Sequence, residues 1–240
     1  MEGRHIESDD SVPGYSCGGG YLPRTVKKCP VPECAVALVY PCDRVPTIRT
    51  VWDRMLKIRG YRTTDERSWL RCRLLSFFDT DYYDDVKISK TTFTNDHVEL
   101  VADNGTGIVG LIDVEIDGDT ATIDSIAVHP DAQREGIASK LLDELLRRIP
   151  EHVTWLDAWT RGTESANGWY ASVGFSENQR YLHVYKDEAS GDDGFETPVG
   201  LSRPVTAFMH ARIELEDAVR DRFSRVHVCR QYLMEIQNKR

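Results

Sequence analysis

Residues 123–146 read IDSIAVHPDAQREGIASKLLDELL. The opening residues suit a strand, and His129-Pro130 ends it. Ile137, Leu141, Leu142, Leu145, Leu146 and Ile149 then recur on one helical face until Pro150 stops the pattern. The reading is a strand, a short turn and a helix from Gln133 to Ile149, opening at Gln133-Arg134-Glu135-Gly136-Ile137-Ala138. A helix start carries unpaired backbone N–H groups and the positive end of the dipole. Those groups suit a pyrophosphate. Gly136 would let a phosphate approach the backbone, Ala138 is small, and Arg134 can add a charge-assisted contact. Taken alone, an ordinary strand-turn-helix with an early glycine explains the same run.

The flanking sequence supplies the rest of a sheet. His97–Asp103, Thr106–Ile116 and Thr120–Val128 read as strands, joined at Asn104-Gly105 and Asp117-Gly118. Both dipeptides favour hairpins, so this is an antiparallel meander. Leu56–Arg62 reads as a short strand before it. Thr64 and Asp65 suit the start of a helix over 65–78 whose spaced apolar residues are Trp69, Leu70, Leu74, Phe77 and Phe78. A short helix is expected over Asp81–Val86. After the central helix come a strand over Val153–Trp159, a helix over Glu164–Val173 closed by Gly174, and a strand over Arg180–Lys186. A last unit follows: Val205–Ile213, a short helix near Glu214–Phe223, and a strand over Arg225–Leu233. His183-Val184 and His227-Val228 occupy similar strand contexts, which suggests that those two strands pair. A meander followed by helical crossovers predicts an α/β mixed sheet with helices on both faces.

The chain has 240 residues, 40% of them hydrophobic and 29% charged, enough for a packed core. A formal net charge of -9 argues against a general nucleic-acid binder. No run approaches the roughly 18–20 apolar residues that span a bilayer, and the start does not read as a signal peptide. The expected location is cytoplasmic, with no membrane partner. Residues 1–46 hold Gly18-Gly19-Gly20 and several prolines and read as a loosely ordered extension, with one short strand at Ala35–Tyr40. Residues 47–190 read as the core domain, and 191–240 as a linker plus a strand-helix-strand unit packing on it. Cys17, Cys29, Cys34 and Cys42 crowd the extension. Only Cys29 and Cys34 approach the ligand spacing that zinc uses, so no metal is expected.

The run Ile126-Ala127-Val128-His129-Pro130, followed by Gln133-x-x-Gly136-x-Ala138, resembles the acetyl-CoA signature of the GNAT (GCN5-related N-acetyltransferase) superfamily. A second resemblance sits downstream at Ala166, Trp169-Tyr170 and Gly174-Phe175. The similarity covers roughly residues 56–186. Glu135 departs from the basic residue common in the family, and Ala138 replaces a glycine. The resemblance implies a GNAT-like acyl-CoA N-acyltransferase fold with N- and C-terminal extensions. It implies transfer of an acetyl group from acetyl-CoA to a primary amine. The coenzyme would be held by Ile126, Ala127, Val128, Gln133, Arg134, Glu135, Gly136, Ile137, Ala138 and Ser139. Ile126 and Val128 would offer backbone groups to the pantetheine arm, and the 134–139 amides would hold the pyrophosphate. Tyr170 would protonate the leaving thiolate, and the Val128 N–H would serve the oxyanion.

An amine must lose its proton before it attacks. Asp124 is the first choice of base, since simple alternation puts it on the side of Ile126 and Val128; Asp113, Glu115 and Asp157 are alternatives. Trp155, Trp159 and Trp169 could line an acceptor pocket or pack in the core. His183 and His227 read as packing residues, and Arg220, Arg222, Arg225 and Arg230 as a solvated face. The acceptor amine stays unnamed, and a homodimer stays open. The rival reading is a non-catalytic acyl-CoA-binding sensor or interaction module.

Overall fold

The computed structural model describes residues 56–236, so the expected strand at Ala35–Tyr40 and the cysteines Cys17, Cys29, Cys34 and Cys42 lie outside the described residues. The strands are β1 (Lys57–Gly60), β2 (His97–Asp103), β3 (Ile108–Asp117), β4 (Thr120–Val128), β5 (Trp155–Arg161), β6 (Ser176–Lys186), β7 (Ala207–Arg212) and β8 (Arg225–Glu235). The helices are α1 (Glu66–Phe78), α2 (Ile137–Arg148), α3 (Glu164–Val173) and α4 (Glu216–Arg222). The strands form one sheet in the order β1-β2-β3-β4-β5-β8-β6-β7. Only β4 and β5 run parallel; the other neighbours are antiparallel.

The meander forms as its turn residues require. Asn104 Oδ1 accepts from Thr106 N at 3.0 Å, Thr106 Oγ1 at 2.8 Å and Gly107 N at 3.0 Å. That side-chain turn holds Thr106 and Gly107 out of the ladder, so β3 starts at Ile108 instead of Thr106. At the second turn Asp117 pairs with Thr120, and Gly118 takes φ 60. The last unit is woven into the sheet. β8 lies between β5 and β6, and His183 pairs with His227, as their matching sequences suggest.

Several local expectations change. Residues Asp81–Val86 make turns closed by bonds such as Tyr83 N to Thr80 O at 3.1 Å and Asp85 N to Tyr82 O at 2.9 Å, not a helix. The central helix begins at Ile137, because Arg134 at φ 64 and Gly136 at φ 73 are left-handed and cannot continue a right-handed turn. The strand expected at Val153 begins at Trp155, after Thr154 N bonds to Asp119 O at 2.8 Å. In α1 the buried residues are Trp69, Cys72 and Arg73, whereas Leu74 and Phe78 are exposed. The predicted basic face is also engaged: Arg225 pairs with Asp84, Arg220 with Glu216 and Arg230 with Glu177.

The sheet carries a core on each face. On one, Leu100, Ile112, Val114 and Ile123 pack with Ile137, Leu141 and Leu145 of α2. On the other, Val101, Leu111 and Ala127 pack with Trp69 and Cys72 of α1. Gly110 sets how closely α2 approaches: an added Cβ there would stand 2.6 Å from Ile137 Cγ2. Ile137 is the first residue of α2, so this contact also fixes the helix start. Gly110→Val should therefore cost about 1–3 kcal/mol by overpacking, read as a lower midpoint in urea denaturation. An unchanged midpoint would show that the helix yields without cost.

Candidate active site

The pairing of β4 with β5 covers only Thr120–Ile123 against Trp155–Ala158. Beyond that point the two strands part. On its other edge β4 stays paired to β3 through Val128, and His129 N bonds to Val109 O at 2.9 Å. In an antiparallel ladder the groups alternate, so Ala127 shares the β3-facing phase of His129. The N–H and C=O groups of Ile126 and Val128 therefore face the gap. One of them is already engaged: Gln133 Nε2 donates to Val128 O at 3.2 Å.

The gap is the floor of a cavity of about 480 Å³. Its walls include Ile126, Ala127, Val128, Gln133, Arg134, Gly136, Ile137, Ala138 and Ser139, together with Asp124 and Tyr170. Glu135 belongs to the same loop but not to the wall. Ile137 and Ala127 keep their side chains largely in the core. At the start of α2 the amides of Ile137, Ala138 and Ser139 have no carbonyl four residues back within the helix. The space before Gly136 is open, since a Cβ there meets no atom within 4 Å. The Arg134 guanidinium makes no ion pair among the described residues. Ser139 Oγ accepts from Trp169 Nε1 at 3.2 Å, which ties α2 to α3.

Tyr170 is buried on α3. Its ring stacks on Tyr232 at 5.0 Å and meets Phe175 edge-on at 5.2 Å. Its hydroxyl has no hydrogen-bond partner among the described residues. Burial, reinforced by neighbouring tyrosines and Asp157, raises its pKa above the usual 10.0. The phenol therefore keeps its proton throughout the neutral range.

Asp124 is not where simple alternation puts it. Asp113 pairs with Ser125 and Val114 with Ile123, leaving Asp124 as the extra residue of a β-bulge. The bulge turns its carboxylate to the α1 side, away from the face of Ile126 and Val128. There it accepts from Lys87 Nζ at 3.1 Å and Ser125 Oγ at 3.0 Å. Of the four carboxylates considered as bases, Asp124 is the one that lines the cavity. Asp157 is held by Gln231 Nε2 at 3.0 Å. Asp113 is fully buried, 2.8 Å from Lys90 Nζ, which also pairs with Glu99 and lies near the rings of Tyr61, Trp69 and Phe93.

Burial pushes Asp113 up from 3.8 to about 6, with Lys90 opposing the shift. The folded chain thus holds an extra proton here between those two values, so this group's stabilising contribution falls as pH rises through that window. Asp113→Asn removes the dependence. Its stability relative to the parent should rise between about pH 4 and about pH 7, measured by urea denaturation at both. A flat difference would mean that Lys90 cancels the burial effect.

Several wall residues come from α1 and the turns after it: Arg73, Phe77, Tyr82 and Asp85. Arg73 NH2 pairs with Asp85 at 2.8 Å and its guanidinium lies 4.4 Å from the Phe77 ring. Only the helix spacing of Arg73 and Phe77, four residues apart, hints at this in the sequence. Trp159 and Trp169 line the cavity, whereas Trp155 is 40% exposed elsewhere.

Residues 95–177 match the family described as acetyltransferase (GNAT) domain. No curated protein matches the chain. Among solved structures it is similar to the ribosomal-protein-S18-alanine N-acetyltransferase from Escherichia coli, at 16% identity over 76% of this chain and 94% of that one, with a TM-score of 0.48. It is also similar to a GNAT family acetyltransferase from Elizabethkingia anophelis with acetyl-CoA bound, at 15% identity over 75% and 98%, TM-score 0.44. A tandem GNAT protein from the clavulanic acid biosynthesis pathway is similar at 19% identity over 61% and 54%, TM-score 0.49. The stretch 95–177, which matches the GNAT acetyltransferase domain family, holds both signature motifs and the opened β4–β5 edge.

Proposed function

We propose that this protein transfers an acetyl group from acetyl-CoA to a primary amine by direct attack on the thioester. The observation that carries this reading is the cavity where β4 and β5 part, which joins an unpaired strand edge to an open helix start. The exposed groups of Ile126 and Val128 suit an amide-bearing arm laid along the edge like an added strand. For the Val128 carbonyl, the Gln133 amide must share or move. The amides of Ile137, Ala138 and Ser139, with Arg134 beside them, suit a pyrophosphate.

The bulge gives the two reactants different sides. The coenzyme lies along the edge toward α2, and the amine comes from the α1 side, where Asp124 takes its proton. The nitrogen lone pair then bonds to the thioester carbon, and the Val128 N–H stabilises the oxyanion. Collapse breaks the carbon–sulfur bond, Tyr170 gives its proton to the thiolate, and the second proton of the attacking nitrogen is lost through solvent to restore the phenol as the amide forms. The acceptor arrives through the α1-side opening, next to Tyr82, Asp85 and Trp159.

The test is coenzyme thiol release measured with a panel of primary amines, beside calorimetric titration with acetyl-CoA. Saturable binding and amine-dependent release are expected. Binding without release from any amine would favour the acyl-CoA sensor, and no binding by a folded sample would remove both.

A further inference from the structure

On the α1 side a second recess adjoins the cavity, and Tyr82, Asp85 and Trp159 wall both. Its floor is the outer sheet. Tyr181, His183 and Tyr185 alternate along β6, and Phe208 and His210 stand beside them on β7. The rings form a continuous set: Trp159 meets Tyr181 at 5.2 Å, His183 stacks on His210 at 5.2 Å, and Phe208 lies 5.0 Å from both His183 and Tyr185.

The charged groups of this recess are committed to one another. Arg225 grips Asp84 with two bonds, at 2.6 and 2.7 Å. Arg73 holds Asp85 at 2.8 Å. Arg161 is buried, donating to His183 Nδ1 at 3.0 Å, to Asp81 O at 2.5 Å and to the Tyr185 hydroxyl. Its bond leaves the other ring nitrogen of His183 to donate to the Tyr181 hydroxyl at 2.9 Å. Burial and Arg161 lower His183 to about 4, so this imidazole is neutral at physiological pH. Among the described residues the recess thus offers ring surfaces and no unpaired carboxylate, and a polycation would find nothing there to neutralise its outer charges.

We propose that this recess seats the acceptor's own aromatic ring, so that the acceptor is a primary amine on a short linker to an aromatic ring. The shared wall at Tyr82, Asp85 and Trp159 then passes the amine toward the cavity, while the ring stays against Tyr181 and Phe208. The recess is a separate observation, but the direction of the amine rests on the transfer reading above.

The experiment is calorimetric titration of the full chain with 2-phenylethylamine and with spermidine, with and without coenzyme A, alongside thiol release from acetyl-CoA. Phe208 is 51% exposed on the edge strand, so Phe208→Ala should fold, and Phe208→Tyr keeps the ring. The expected result is that 2-phenylethylamine binds more tightly than spermidine. Phe208→Ala should weaken it about tenfold, Phe208→Tyr should restore it, and acetyl-CoA affinity should not move. Tighter binding of spermidine, or no effect of Phe208→Ala, overturns the proposal. If acetyl-CoA binds and only spermidine releases thiol, the transfer reading stands and this one fails. If 2-phenylethylamine binds in a Phe208-dependent way but acetyl-CoA does not bind, the recess stands and the transfer reading fails.

Discussion

Replacing Gly136 by glutamate is expected to weaken acetyl-CoA binding by at least about a hundredfold, ~2.8 kcal/mol. Three effects act together. Gly136 has φ 73, a conformation that costs other L-residues about 1–2 kcal/mol. The new side chain leaves from a point with open space before it, which the proposed ligand would fill. Its carboxylate stands at the positive end of α2, where it competes with a phosphate for the same amides. Calorimetric titration measures the loss, and circular dichroism shows whether the variant is folded. Gly136→Ala separates the contributions: it keeps the backbone strain and a small steric cost but adds no charge, so its affinity should fall between the two. Parent-like binding by a folded Gly136→Glu protein would detach the helix start from the coenzyme site.

Tyr170→Phe should lower kcat by about 10²–10³-fold while leaving acetyl-CoA affinity near that of the parent. The substitution is unusually clean because the hydroxyl has no hydrogen-bond partner among the described residues, and the ring contacts with Tyr232, Phe175 and Trp169 survive. Stability should change little, since no buried partner is left unsatisfied. The raised pKa keeps the phenol protonated at neutral pH, so it can meet the release step as a donor but cannot take the amine's proton, and the same burial makes it a weaker acid than an exposed tyrosine. Steady-state thiol release, with calorimetry for the coenzyme, separates the two quantities. An unchanged kcat would reduce Tyr170 to a packing residue and leave the thiolate to take its proton from another group.

Much of the frame is legible in the order of residues. Asn104-Gly105 and Asp117-Gly118 demand reversals, and the alternating runs between them leave few other ways to bury their apolar faces. Ile137, Leu141 and Leu145 share a face by spacing alone, and Gly174 closes α3 at φ 98 as its position suggests. The matching His183 and His227 contexts even indicated a strand pair across 44 residues of chain. These are local patterns, and local sterics and periodicity are written in the chain.

Tertiary structure decided the rest. The bulge at Asp124 depends on the register of β3 against β4, and one extra residue moved that carboxylate to the other face. The gap beside Ile126 and Val128 exists because β5 leaves β4 after Ala158, a separation that neither strand encodes alone. The helix starts at Ile137, four residues after the Gln133 that apolar spacing suggests, because the left-handed backbone at Arg134 is not legible from residue type. Arg161, His183 and Phe208 lie on three different strands, and only the insertion of β8 and the addition of β7 at the edge bring them to one recess. A sheet's side chains become neighbours through pairing order, and pairing order is a property of the whole fold.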